Sequence, residues 1–281
     1  ADLMLRELRK VIPSFLERVD REDRGVVWSE YLQETREDTA DVVAALFPEG
    51  SIVDPSPTVR LVDFDPEGEV KMIASMMYPH STMSEDQLER RVAGMNHEDR
   101  MAVARAYVGD RRNRRHKPGR ALERPFYRFD VLVDYGAFRD LQRHRMLSMD
   151  WQNLSPHHGY ISSPLVNAAG MGPVYEEAME RSAALYDLLV DDFPDQASYA
   201  INLAYKIRFN MNINARSAMH LIELRTTPQG HPSYREVGQE MHRLIAEEAG
   251  HTVISEMMKF VDHTDETDLE RLQSERRAQE K

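Results

Sequence analysis

The segment FYRFDVLVD, residues 126–134, is followed directly by YGAFRDLQRHRM, residues 135–146. The first is rich in β-branched and aromatic residues and reads as a buried strand, whereas the second carries the spacing of a helix. A sheet is therefore required, and the Arg143-His144-Arg145 triplet is expected at the end of the helix that follows its strand. Around this junction VRLVDFD (59–65) alternates as a second strand, and GEVKMIASMMYPH (68–80) returns to helical spacing. Two charged helices are expected over about 84–110, and four more over about 174–192, 195–211, 213–225 and 232–261. In the last of these Val237, Met241, Ile245, Ala249, Val253, Met257 and Phe260 form one apolar stripe. The expected class is α+β, helix-rich, with a small mixed sheet and long helices.

The N-terminal region reads as a helical pair. Leu3, Leu5, Leu8, Val11, Ile12, Phe15, Leu16 and Val19 fall at helical spacing over 2–19, and Trp28 to Leu46 forms the second member. Pro48 to Pro57 has no periodicity and reads as a linker. The partition expected is an N-terminal extension at 1–50, a main domain at 57–261 and a charged tail at 262–281, the tail being frayed or disordered. No internal repeat is evident.

With 281 residues of which 41% are hydrophobic, the chain has enough apolar material for a proper core. No apolar run approaches the roughly 20 residues that cross a bilayer, and ADLMLRELRK lacks the apolar centre of a signal peptide. A soluble, cytoplasmic protein is expected. Ala1 in place of an initiator methionine suggests a processed chain or a domain cut from a longer polypeptide. A net charge of −12 disfavours general binding to nucleic acid. The absence of cysteine removes disulfides, thiolate metal sites and any cysteine nucleophile, which excludes methylation of a uracil ring through a protein thiolate.

Three constellations carry chemistry. In RRNRRHKPGR the residues Arg111, Arg112, Arg114, Arg115, His116, Lys117 and Arg120 suit a polyphosphate or dinucleotide, or else form a solvated basic loop. In RDLQRHRMLSMDWQNLSPHHGY, residues 139–160, Arg139 and Arg143 would share a helix face, with Asp140 the nearby acid to offset them. The pattern reads as a ligand site, with an interface ion-pair cluster as the alternative. In NARSAMHLIELR, residues 214–225, Asn214, Ala218, Leu221 and Arg225 form a stripe whose polar ends lie about 16 Å apart. Arg216 and His220 lie on a neighbouring face; the bland reading makes Asn214 an N-cap and Arg225 a favourable C-terminal charge.

The second and third segments together resemble the flavin-dependent thymidylate synthases, whose signature is Arg-His-Arg, seven residues, then Ser, and whose later helix commonly reads NARSLMHFLNLR. The resemblance runs over about residues 57–261. It implies a mixed α/β fold, a homotetramer with active sites shared between subunits, and bound FAD. It also implies that NADPH reduces the flavin and that the one-carbon unit of methylenetetrahydrofolate passes to C5 of dUMP, giving dTMP. By position, Arg143, His144, Arg145, Glu123, Asn214, Arg216, His220 and Leu224 are the implied flavin contacts. Arg225 is implied at the uracil ring and Ser155 in the nucleotide pocket, both in catalytic positions, with Arg143 shared between flavin and substrate.

The departures from the family pattern fall on one side of that site. Nine residues separate Arg145 from Ser155, and Gln152 or Asn153 and His157 or His158 stand near positions where the family has Glu and Arg. HKPGRALE replaces a His-Glu-Ser segment before Glu123, Ser198 stands near an expected nucleotide-binding Arg, and the loop from Arg225 to His231 is long. Alternatives are therefore a methylase of another uracil nucleotide, or a catalytically silent flavin-binding module of a duplicated protein. A metal enzyme is a weaker reading. The His157-His158 pair and Glu248-x-x-His251 supply one of the two Glu-x-x-His motifs a di-iron site needs, so His251 is expected on a helix surface or interface.

Overall fold

A computed structural model describes residues 2–47, 57–264 and 270–279. The chain divides into two compact units, Ala1–Pro55 and Ser56–Lys281. In the first, the expected helix over 2–19 is broken into α1 (Asp2–Arg9) and α2 (Pro13–Leu16), followed by α3 (Val26–Leu46). The break has a local cause. Ile12 precedes Pro13 and sits at φ −132°, ψ 52°, outside the helical region that a following proline disfavours. The expected linker lies, over residues 48–56, outside the described residues.

The second unit is built on four strands, β1 (Val59–Phe64), β2 (Phe126–Asp134), β3 (Ser148–Trp151) and β4 (Lys206–Asn214), in the order β1-β2-β4-β3. Every pairing is antiparallel, where a mixed sheet was expected. The helices are α4 (Gly68–Met77), α5 (Glu85–Ala93), α6 (His97–Val108), α7 (Tyr135–Leu141), α8 (Pro164–Ala168), α9 (Gly172–Leu189), α10 (Pro194–Ala197), α11 (Ala215–Arg225), α12 (Pro232–Glu247), α13 (Thr252–Met257) and α14 (Glu270–Gln279).

The largest correction concerns the helix expected over 195–211, of which only the short α10 remains α-helical and whose last six residues, 206–211, belong to β4. Ile207, Phe209, Met211 and Ile213 alternate with half-buried residues along β4, and all four are buried against the core. That period of two belongs to a sheet with one covered face. Its partner β2 buries Tyr127, Phe129, Val131 and Val133 in the same alternation. A second correction falls in the long helix of 232–261. Gly250 adopts φ +69°, a left-handed conformation that ends a helix, so the apolar stripe is shared between α12 and α13. His251 at this break is buried rather than surface-exposed, with Nδ1 2.8 Å from the Tyr127 hydroxyl. The third is the tail. Asp262 and Thr264 are held by Arg235, and α14 occupies Glu270–Gln279 where disorder was expected.

The antiparallel pairing of β2 with β4 sets Phe126 opposite Asn214 and Asp134 opposite Lys206. Helix α7 therefore leaves one end of the pair and α11 leaves the other. Nine strand residues span about 30 Å, while α7 and α11 span about 10 and 16 Å. Folding back over the sheet, the two helices bring their C-terminal ends together.

Candidate functional site

Helix α7 stops at Leu141, so Arg143, His144 and Arg145 lie in the irregular segment after it and not on its last turn. The expected repulsion between Arg139 and Arg143 on one helical face is thereby removed. Arg139 turns to the Tyr135 hydroxyl, and Arg143 lies 3.6 Å from Asp140. Helix α11 begins as the sequence suggested, with the Asn214 side chain accepting a hydrogen bond from the Ser217 amide at 2.9 Å. Asn214→Ala is expected to lower folding stability by about 1 kcal/mol through loss of this cap; an unshifted urea midpoint would refute the role.

Between the triplet and α11 lies a cavity of about 340 Å³. Its cationic lining comes from Arg111, Arg114, Lys117, Arg143, Arg145, Arg216 and Arg225, and its apolar wall from Met146, Leu147, Ile213, Met219 and Leu224. His144 and His220 complete it, their rings 5.6 Å apart and steeply inclined. Guanidinium groups facing apolar side chains suit a ligand that is both anionic and flat.

Of the implied flavin contacts, Arg143, His144, Arg145, Arg216, His220 and Leu224 line this cavity. Glu123 and Asn214 do not. Glu123 instead accepts from Arg216 at 3.0 Å, while the Pro118 carbonyl takes Arg216 Nε, so the guanidinium is fixed from behind. Asn214 acts as the helix cap. On the substrate side Arg225 lines the cavity, but Ser155, Gln152, Asn153, His157, His158 and Ser198 do not. Ser155 is buried in the loop after β3, near the amide of His157, and His158 contacts Gln152 at 2.9 Å.

Arg225 is held by several neighbours at once. Its Nε donates to His144 Nε2 at 3.1 Å, Nη1 to Asp140 Oδ1 at 3.4 Å, and Nη2 to the Asp140 carbonyl. The guanidinium also lies over the Tyr234 ring, 5.2 Å from its centroid. Because His144 Nε2 accepts, the neutral imidazole carries its proton on Nδ1. Burial, then the Arg225 charge, pushes the His144 pKa down to about 4. His220 is also lowered, by burial and then by Lys117 and Arg114. Both rings are neutral hydrogen-bonding groups near neutral pH.

The basic run is divided by the fold. Arg112, Arg115 and His116 are exposed, Arg114 and Lys117 reach the cavity, and Arg111 also lines it although its side chain is almost wholly buried. Arg111 forms a two-pronged pair with Glu223 at 2.6 and 2.5 Å and donates to the carbonyls of His116, Arg114 and Met257. Glu223 and Tyr234 were not anticipated as supports. A glutamate at a buried helical position was the available signal for the first.

The chain also resembles known proteins. The family model described as "Thymidylate synthase complementing protein" matches residues 60–250. A UPF0159 protein of Chlamydia pneumoniae is 38% identical over 278 residues, covering 98% of this chain and 51% of that protein. One from Thermoplasma acidophilum is 33% identical over 221 residues, covering 77% of this chain and 44% of that protein. The chain thus spans about half the length of the curated relatives it matches. Among solved structures, thymidylate synthase X of Helicobacter pylori with FAD and dUMP has a TM-score of 0.50 at 17% identity, over 72% of this chain and 98% of that one. The UMP/dUMP methylase PolB of Streptomyces cacaoi bound with 5-Br dUMP has a TM-score of 0.53 at 18% identity, over 70% and 94%. These last two likenesses concern the fold. With the family match running across β1, β2, both cavity walls and α12, the chain belongs to the thymidylate synthase complementing protein family.

Proposed function

We propose that this chain binds FAD between the Arg143-His144-Arg145 triplet and α11, and that it methylates C5 of a uracil nucleotide, with dUMP as substrate and dTMP as product. The observation that carries this reading is the cavity itself, in which Arg114, Lys117, Arg143, Arg145 and Arg216 face an apolar wall. Those cations fit a pyrophosphate, and Met146, Leu147 and Leu224 fit a flat ring system. In such a reaction the flavin, reduced by NADPH, supplies electrons, and methylenetetrahydrofolate supplies the one-carbon unit. The absence of cysteine is in keeping with that chemistry. A cavity of about 340 Å³ is small for a whole dinucleotide, which supports a site completed by a second subunit of a homo-oligomer.

Two neighbouring readings have specific support. Gln152, Asn153, His157 and His158 stand outside the cavity where the family pattern places nucleotide-binding charge, which favours a different uracil nucleotide; the PolB likeness points the same way. The half-length match favours a flavin-binding module whose catalytic complement lies elsewhere in a longer protein.

Freshly purified protein is expected to be yellow and to release FAD on denaturation. With NADPH and methylenetetrahydrofolate it is expected to liberate tritium from C5-labelled dUMP. Release from labelled UMP instead would establish the second reading, and bound FAD without release from either would establish the third. Colourless protein that takes up no added FAD would remove all three.

A further inference from the structure

Asp140 is the shared anionic partner of the two guanidinium groups at the junction of α7 and α11, by hydrogen bond to Arg225 and by ion pair to Arg143. Its Oδ1 lies 3.4 Å from Arg225 Nη1 and 3.6 Å from Arg143 Nη1, and its backbone carbonyl takes Arg225 Nη2. The two arginines differ in how tightly they are held. The Arg143 side chain is 75% exposed and Arg225 only 13%, so Arg225 has little water to screen it from its neighbour. Three hydrogen bonds occupy Arg225 from one side, leaving two of the five N–H bonds of a guanidinium available to the cavity. The direction of those two is set by whatever holds the other three.

We propose that Asp140 is a positioning residue for the substrate site, its carboxylate holding Arg225 against His144 so that the remaining guanidinium N–H groups face the uracil nucleotide of the reaction proposed above. The substrate role rests on that reading; the clamp itself does not. Without the carboxylate, Arg225 loses its anionic partner while the Asp140 carbonyl and the Tyr234 face remain, and it is expected to withdraw from His144.

His144 reports this withdrawal without any ligand. Burial is the first cause of its low pKa; of the charged and titratable neighbours, Arg225 and His220 disfavour its protonation and Asp140 favours it. Simple removal of the Asp140 charge would therefore lower the His144 pKa further, whereas departure of Arg225 raises it. The two effects have opposite signs.

The experiment compares the wild-type chain, Asp140→Ala and Asp140→Asn by NMR titration of histidine-labelled protein. Alongside it, kcat and KM for dUMP and FAD retention are measured. In the wild type His144 is expected to stay neutral between pH 5 and 8, given its pKa of about 4. In Asp140→Ala it is expected to titrate within that window, with kcat lowered about 10- to 100-fold, as displacement of a positioned group by about 1 Å produces. FAD retention should be unchanged. Asp140→Asn keeps an acceptor of the same shape, so His144 should again stay neutral and most of kcat should return. A His144 in Asp140→Ala that still fails to titrate above pH 5 would overturn the clamp. A chain that shows the titration shift but never turns over dUMP would leave the clamp standing and remove the substrate reading.

Discussion

Glu223→Ala is expected to reduce folding stability by about 3–5 kcal/mol, the cost of leaving a buried charge without its partner. Arg111 and Glu223 side chains are 3% and 1% exposed, so neither can recruit water when the other is removed. Their pair is buried. Through Arg111 it also fixes the carbonyls of Arg114, His116 and Met257, and the guanidinium rests 5.2 Å from the Phe260 ring. Loss of Glu223 should consequently loosen the segment that carries Arg114 and Lys117 into the cavity, and FAD affinity should fall with stability. Guanidinium-induced unfolding is the direct measurement. The double replacement Arg111→Met with Glu223→Leu is expected to cost much less than either charge deletion, because no charge is then stranded. Equal losses in single and double variants would show that packing, not charge, accounts for the effect.

Arg225→Ala is expected to lower turnover by about 10²- to 10³-fold, the range found when a donor facing developing charge is removed. Most FAD should be retained, since Arg143, Arg145, Arg216 and Leu224 remain in place around the cavity. Folding should survive, although the contacts to Asp140, His144 and Tyr234 are lost. Steady-state kinetics with a flavin absorbance spectrum on the same sample separates the two effects. Unchanged turnover would refute the role of Arg225, and loss of flavin in parallel would assign it to the cofactor instead.

The parts legible in the sequence were those governed by local pattern. FYRFDVLVD became β2, the NARSAMHLIELR helix began at its Asn214 cap, and the triplet met that helix across one cavity. What failed depended on partners far along the chain. KIRFNMNIN alternates with a period of two, yet it follows residues of mixed apolar character, and only pairing with β2 and β3 resolves it as a strand. Glu223 looked like an ordinary helical residue because Arg111 is 112 positions away. Likewise, Glu248-x-x-His251 suggested one helical face, but the left-handed Gly250 turns His251 inward to Tyr127. Glu123 and Asn214 fall in the neighbourhood the motifs indicate, yet they support Arg216 and α11 from behind and do not line the cavity.

The antiparallel ladder of β2 and β4 and the lengths of α7 and α11 together act as a ruler. One more residue in α11 would advance its tip by about 1.5 Å and rotate it by about 100°, carrying the guanidinium off Asp140 altogether. Added length in connections outside this span, such as Thr226 to His231, would change no phase. Insertions inside it would change which side chain occupies the tip and meets Asp140.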